Sequence, residues 1–397
     1  MNLPPLRLRK NEDRRLRAGH LWVFSNEVDA RLTPLAGLAP GDAVEVTDSR
    51  GKVIGSAYVN PNALICARLI SRRARQILDH TLLMARLHCA LALRTRLFEQ
   101  PYYRLVYGEG DALPGLIVDR YGEVLVAQLT TAGMERVKND VVSALVELLQ
   151  PKAVLLRNDS PMRVLEGLPR VIEQAYGPAP ECVTLEENGA RFEAPLLTGQ
   201  KTGWFYDHRL NRARLQHYAR GKRVLDVFSY LGAFGIQAAA SGAREVLCVD
   251  ASEQALTFVH HNAALNGVTG RIATLCGDAF DALKNLHGAG ERYDVVILDP
   301  PAFIKRKKDL AAGVAAYQRL TRLALQLLAD DGLLFSASCS FHLARAELRD
   351  ILRHSALQQG CQLQILEQGH QGPDHPVHPA IPETDYLKAF LARVVKD

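Results

Sequence analysis

Five short apolar runs in the second half of the chain each end on a residue able to do chemistry. Arg223 to Phe228 carries Asp226, and Ser229 to Gly235 follows as a glycine-containing loop. Glu245 to Asp250 ends on an acid, and Ala273 to Cys276 runs into Gly277-Asp278. Asp294 to Leu298 is followed by Asp299-Pro300-Pro301-Ala302-Phe303, and Gly332 to Ser338 by Cys339-Ser340. Ligands of open α/β sheets bind at the carboxyl ends of strands. Gly232 and Gly235 let backbone approach such a ligand closely. The spacing is not G-x-G-x-x-G, so a dinucleotide pyrophosphate is not indicated. Asp226 suits an ammonium group better than a phosphate. Asp250, 24 residues after Asp226, is placed to accept both hydroxyls of a ribose. Asp278 is placed to face an adenine amino group. For each acid the competing reading is a helix N-cap.

The last two strand ends suit a reaction. Two prolines stiffen the loop after Asp299. Phe303 can stack on a planar base while Asp299 bonds its polar edge. Cys339 at the next strand end reads as a nucleophile, or as a bystander thiol. Lys305-Arg306-Lys307-Lys308 follows the proline loop and reads either as a phosphate grip or as a solvated charge run. His370, His375 and His378 lie in a Pro/Gly-rich loop without fitting acidic or cysteine partners, so no metal is expected.

These strand ends need a sheet to hold them in line. From residue 188 to 397 the chain alternates apolar runs with helical stretches, as in a doubly wound, largely parallel α/β sheet. Residues 76–187 read as an α+β linking domain, with a helix over Leu78–Leu97, a meander, and a helix from Met134 to Leu149. Residues 1–75 show short strands between Gly, Asp and Asn-Pro turns, which predicts a small β-barrel, with Leu6-Arg7-Leu8-Arg9 as an edge strand. The whole chain of 397 residues has 48 basic and 43 acidic side chains, but residues 1–75 alone hold 13 basic and 7 acidic. A basic module on a near-neutral body suits nucleic acid. No run approaches a membrane span, and the basic N-terminus lacks the apolar core of a secretory signal. Seven cysteines without a C-x-x-C pair exclude a zinc ribbon and point to a reducing, cytoplasmic setting.

Together these residues resemble the class I S-adenosylmethionine-dependent methyltransferases. They are most similar to the bacterial 23S rRNA 5-methylcytosine methyltransferase I family. Leu197 to Arg209, the Asp226 loop, DPPAF, SCS and the late Asp374-His375-Pro376 carry the likeness. Gly19 to Ser25 looks like the start of a PUA domain, and Gly108 to Asp119 is similar to that family's linking domain.

The resemblance implies a Rossmann-like methyltransferase domain and S-adenosylmethionine as cofactor. Asp226, Phe228, Gly232, Phe234, Asp250, Asp278 and Pro300 would hold that cofactor, with Phe205 and Arg209 from a hairpin above it. It implies 23S ribosomal RNA as partner, in naked form or in an assembling large-subunit particle, and leaves room for a homodimer. Cys339 would attack C6 of a cytosine, and Asp299 would bond its N3/N4 edge. The loop at Asp299 lacks the second cysteine of another RNA 5-methylcytosine group, so the base for the C5 proton is unassigned. Two alternatives stand beside this: methylation of an exocyclic purine amino group, with Cys339 a bystander, and a non-catalytic RNA-binding assembly factor. An NAD-dependent oxidoreductase is disfavoured by the glycine pattern.

Overall fold

The computed structural model describes residues 3–396. The chain divides into two units. One takes the chain up to Val183 together with Pro195–Trp204 and Pro373–Thr384; the other takes Thr184–Ala194, Phe205–Gly372 and the chain from Asp385.

The first unit holds two five-stranded sheets. Strands β1 (Pro5–Arg7), β2 (Trp22–Phe24), β3 (Ala43–Thr47), β4 (Val53–Val59) and β5 (Ile65–Ser71) form one, with helix α1 (Arg14–Arg17) between β1 and β2. Their order is β1-β3-β4-β5-β2, so the Leu6 strand stands at an edge, parallel to β3. Alternation puts Leu6 and Leu8 inward, where they pack with Val44, Val46 and Val59. An antiparallel bridge from Leu8 to Val28 ties the two ends of this sheet together, curling it towards a barrel.

The second sheet follows helix α2 (His80–Leu97). It is built from β6 (Tyr102–Tyr107), β7 (Leu116–Tyr121), β8 (Val124–Leu129), β9 (Ala153–Asn158) and β10 (Val171–Tyr176), with α3 (Ala132–Arg136), α4 (Lys138–Leu149) and α5 (Met162–Leu165) between them. Its order is β10-β9-β8-β7-β6. Leu83, Leu87 and Ala90 recur at helical spacing on α2 and pack with Val141 and Leu145 of α4 over Leu105, Val118 and Leu125. The helix expected from Met134 to Leu149 is two helices, because Val137 leaves helical geometry at φ −103° and ψ 23°. Thr131 caps α3, and Gly133 is pressed against the Tyr58 ring, which pins that turn to β4. The chain must then turn before α4 can cover the sheet.

The second unit carries a seven-stranded sheet. A hairpin of β11 (Cys182–Glu187) and β12 (Ala190–Pro195) precedes it, turning at Asn188-Gly189 with φ of 52° and 79°. That is the Asn-Gly signature of a tight hairpin turn. Then follow α6 (Arg209–Ala219), β13 (Arg223–Val227), α7 (Ala233–Ala240), β14 (Glu245–Asp250), α8 (Glu253–Leu265), β15 (Ile272–Cys276) and α9 (Ala279–Gly288). The last part is β16 (Tyr293–Leu298), α10 (Leu310–Leu327), β17 (Leu328–Ser338), α11 (Arg345–Gln358), β18 (Cys361–Gly369) and β19 (Lys388–Lys396). The order is β15-β14-β13-β16-β17-β19-β18, with only β19 antiparallel to its neighbours.

Parallel strands must be covered on both faces, which is why these runs are apolar throughout. On one face Leu225, Val227, Val296 and Leu298 pack under Leu320 of α10 and Ile351 of α11. Because β13 to β17 run parallel, their carboxyl ends share one edge. The reversed β19 begins at that same edge, with Lys388 registered opposite Ser338.

Candidate active site

The loop after β13 is shaped by backbone that few side chains tolerate. Phe228, Tyr230 and Gly232 have φ of 65°, 48° and 80°. Phe228 and Ser229 both donate backbone N–H to the Val249 carbonyl, at 2.9 and 3.0 Å. Two non-glycine residues in the left-handed region, Phe228 and Tyr230, mark a conformation held by its surroundings, a common property of ligand loops.

Asp226 lies beneath this loop and is 1% exposed. Its Oδ2 accepts the Gly235 N–H at 2.9 Å, at the start of α7. Burial pushes its carboxyl up to about 7, with Asp299 and Asp250 adding to the rise and the Gly235 N–H and Arg212 opposing it. Asp250 is half-buried. Its Oδ2 accepts the Tyr230 N–H and its Oδ1 the Ser252 N–H, each at 2.9 Å. A carboxylate offers about four acceptor sites, so two backbone bonds leave room for hydroxyl donors. The Phe205 ring meets Tyr230 edge-on at 5.4 Å, beside that carboxylate.

Asp278 is exposed and caps α9: its Oδ1 accepts the N–H groups of Phe280 and Asp281 at 2.9 and 3.2 Å. The cap is therefore real, while its Oδ2 is outside those bonds. No atom lies within 4 Å of where a side chain on Gly277 would point, so the space beside Asp278 is open. Phe234 faces the interior, with its ring 5.1 Å from Phe335 and 5.5 Å from His208. Arg209 pairs with the buried Glu187 at 3.4 Å and lies 5.2 Å over the Tyr206 ring.

The loop after β16 is locked to α10. Gly313 approaches the Ile304 side chain so closely that no Cβ fits there. Pro300 is buried, and the Phe303 ring packs inward, 4.8 Å from Tyr317. Asp299 is left at the edge with its side chain 26% exposed, and His208 Nε2 lies 3.2 Å from its Oδ1. The Asn211 amide sits 3.1 Å from His208 Nδ1. An amide donor on Nδ1 places the ring proton on Nε2, where it donates to Asp299. His208 is thus a site residue that strand-end reasoning missed; its only signal was its place in the Leu197–Arg209 stretch.

Cys339 rides on a turn held from both sides. Ser338 and Ser340 are buried, and the Tyr317 hydroxyl bonds both their Oγ atoms, at 2.8 and 3.1 Å. Ser340 N–H donates to Ser338 Oγ at 3.2 Å, and Ile304 N–H to Ser340 Oγ at 3.3 Å. One tyrosine therefore couples the thiol turn to the Asp299 loop. The thiol itself is half-buried. Lys388, at the start of β19, donates from Nζ to the Ser340 carbonyl at 2.6 Å.

Lys305, Arg306, Lys307 and Lys308 are all exposed, and Arg306 pairs with Asp309 at 3.0 Å. Among the described residues no group of three or more His, Cys, Asp or Glu gathers to hold a metal, and no helix is long and apolar enough to cross a membrane.

S-adenosylmethionine fits this donor set. Asp250, Asp278 and Asp299 keep carboxylate oxygens at the accessible edge that could accept from its ribose hydroxyls and amino groups, whereas Asp226 is sealed beneath its loop.

Comparison with known proteins agrees. Residues 169–393 match the S-adenosylmethionine-dependent methyltransferase family, and residues 6–72 match a PUA-like domain. SMU.776, assigned as a methyltransferase and solved with SAH, superposes with a TM-score of 0.85 over 98% of this chain and 100% of its own, at 22% identity. A SAM-dependent methyltransferase candidate from Streptococcus mutans gives 0.83, with the same coverage and identity. At that identity the likeness speaks for the fold. The "Ribosomal RNA large subunit methyltransferase I" of Erwinia tasmaniensis is 36% identical over 98% of both chains, and that of Yersinia pestis is 35% identical with the same coverage. The chain belongs to the ribosomal RNA large subunit methyltransferase I family of S-adenosylmethionine-dependent methyltransferases.

Proposed function

We propose that the protein methylates C5 of a cytosine in 23S ribosomal RNA through a covalent adduct between Cys339 and C6. The observation that carries this reading is the clamped turn: Tyr317 fixes Ser338 and Ser340 so that Cys339 is presented at the same edge as Asp299 and Asp250. The ribosomal RNA in the names of the full-length relatives supports the substrate class. The 10 exposed Lys and Arg side chains of residues 3–75 support RNA docking on the barrel.

When bound, S-adenosylmethionine supplies an electrophilic methyl group on a sulfonium. Carbon 5 of a cytosine is a poor nucleophile towards it. Attack of the Cys339 thiolate on C6 forms an S–C bond and moves electron density onto C5 and the N3/N4 edge. Asp299, oriented by His208, bonds that edge. The electron-rich C5 would then accept the methyl as S-adenosylhomocysteine departs, and loss of the C5 proton to water with breaking of the S–C bond would restore the ring. Splitting one hard step into easier ones is what a covalent nucleophile contributes.

Methylation of a purine amino group would use the Asp299 loop alone and stack its base on an aromatic wall. The Phe303 ring packs inward on Tyr317, so it offers no stacking face in this structure to either base.

The test is transfer of labelled methyl to ribosomal RNA, followed by digestion and mass analysis of nucleosides. The expected label is in 5-methylcytidine, and Cys339→Ala is expected to abolish transfer while binding S-adenosylhomocysteine in calorimetry. Label in a methylated purine amine, or wild-type turnover by Cys339→Ala, overturns the reading.

A further inference from the structure

Lys388 is 5% exposed, a rare place for a lysine. It stands in register with Ser338, the residue before Cys339, and bonds the carbonyl of Ser340, the residue after it. A single amine therefore brackets the turn that carries the thiol. Buried ammonium groups are normally paired with a carboxylate. Among the described residues no carboxylate lies within ion-pair distance of this Nζ; its hydrogen bond is to a neutral carbonyl.

The charged and titratable groups that face it come from every side of its pocket. They are Cys339 at the end of β17, Arg345 and Glu347 from α11, and Asp385 from the segment before β19. Burial pulls the amine down to about 8 and Arg345 lowers it further, while Cys339, Asp385 and Glu347 oppose the fall. Among the groups that oppose the fall Cys339 comes first, so a thiolate at this position and an ammonium at Nζ favour each other. Tyr317, the other titratable group on this turn, is unsuited to exchanging a proton with the thiol, because burial raises its hydroxyl from an already high value.

Resting on the reading of Cys339 as nucleophile, we propose that Lys388 is the positioning residue that takes the Cys339 proton and holds the resulting thiolate. The Nζ lone pair forms an N–H bond as the S–H bond breaks; thiol becomes thiolate and amine becomes ammonium. Nothing is oxidised or reduced. When the adduct later releases sulfur as thiolate, the same proton returns to it from Nζ. The lysine supplies a proton carrier on the thiol's side of the site.

The experiment is the pH dependence of iodoacetamide alkylation at Cys339 in the full-length protein, read on its own peptide by mass spectrometry. This separates it from the exposed Cys89 and Cys276. The wild-type midpoint is expected below the ordinary thiol value of about 8.5. Lys388→Met is expected to raise it by at least a unit, about tenfold slower alkylation at pH 7. Lys388→Arg keeps a cation to hold the thiolate but has no lone pair to take its proton, so its alkylation midpoint is expected to stay with the wild type while methyl transfer to ribosomal RNA falls. Equal profiles for wild type and Lys388→Met, or a Lys388→Arg profile shifted as far as that of Lys388→Met, overturn the proposal. A wild-type midpoint at or above about 8.5 overturns it without any variant. Binding of S-adenosylhomocysteine checks that each variant is folded. Alkylation needs no turnover, so its outcome is separate from that of the Cys339→Ala transfer assay.

Discussion

Asp226 and Asp250 end adjacent strands, yet only one of them is dry. Asp226 is sealed under its loop with a carboxyl pushed up to about 7, while an unfolded chain would titrate it near 3.9. A raised carboxyl binds its proton more tightly when folded. Its contribution to stability is full below about pH 4 and is lost as pH rises through about 7. Asp226→Asn keeps an acceptor for the Gly235 N–H and removes this linkage. Denaturant unfolding across pH 4 to 7 should show wild-type stability falling relative to the variant by about 4 kcal/mol at most. Parallel curves would mean that Asp226 is ionised in the fold. Residues of this kind were legible because each follows an apolar run, as do Cys339 and Asp299. Lys388 was not legible: a single charge at the start of an apolar strand reads as its outward face, and only the reversal of β19 turns it to the thiol. His208 needed the contact with Asp299, 91 residues away in sequence, to acquire a meaning.

At the scale of elements, α9 tests whether a strand-end acid serves the fold, the ligand, or both. Asp278 caps the helix through one oxygen. Serine caps about as well as aspartate but has no second oxygen to offer a ligand. Asp278→Ala should therefore lower stability by about 0.5–2 kcal/mol, whereas Asp278→Ser should restore stability and still weaken cofactor binding. Equal cofactor affinity in Asp278→Ser and wild type would confine Asp278 to capping. The parallel strands and their helices were readable because both faces of the sheet are buried and the helices keep a 3.6-residue stripe. Two features were not. The break at Val137 follows a turn that is pressed on Tyr58, a contact with a residue far away in sequence. The β10 strand keeps Val171, Ile172 and Tyr176 exposed, so its alternation does not announce which face is buried. The Asn188-Gly189 hairpin was announced by its turn, but it fell on an expected domain boundary.

At the scale of the molecule, the barrel in the first unit is no loose attachment. The Tyr58 hydroxyl lies 2.9 Å from the Pro114 carbonyl and 3.1 Å from Thr131 Oγ1, and Glu166 binds both Arg68 and Asn60. Gly133→Ala would force a methyl into the Tyr58 ring and should cost about 1–3 kcal/mol in a denaturant melt. An unchanged melt would mean that the ring yields freely. Three regions of different character were visible in the sequence, but not that the first would be fastened to the second by buried polar groups scattered over a hundred residues.

The first unit is also completed from afar. The Asp374 carboxylate accepts the Arg104 N–H at 3.0 Å, its carbonyl accepts from Arg94 at 2.8 Å, and the His375 ring packs 5.2 Å from Tyr107. Those partners lie on α2 and β6, made early, whereas residues 373–384 leave the ribosome roughly 190 residues after Val183. At about 5–20 residues per second, the front of a nascent chain waits about 10–40 seconds for its last piece. During that interval the buried guanidinium of Arg94 has Asp111 but not the Asp374 carbonyl to bond. The enzyme's birth is therefore not a simple front-to-back affair: its N-terminal half is the first to be made and among the last to be finished.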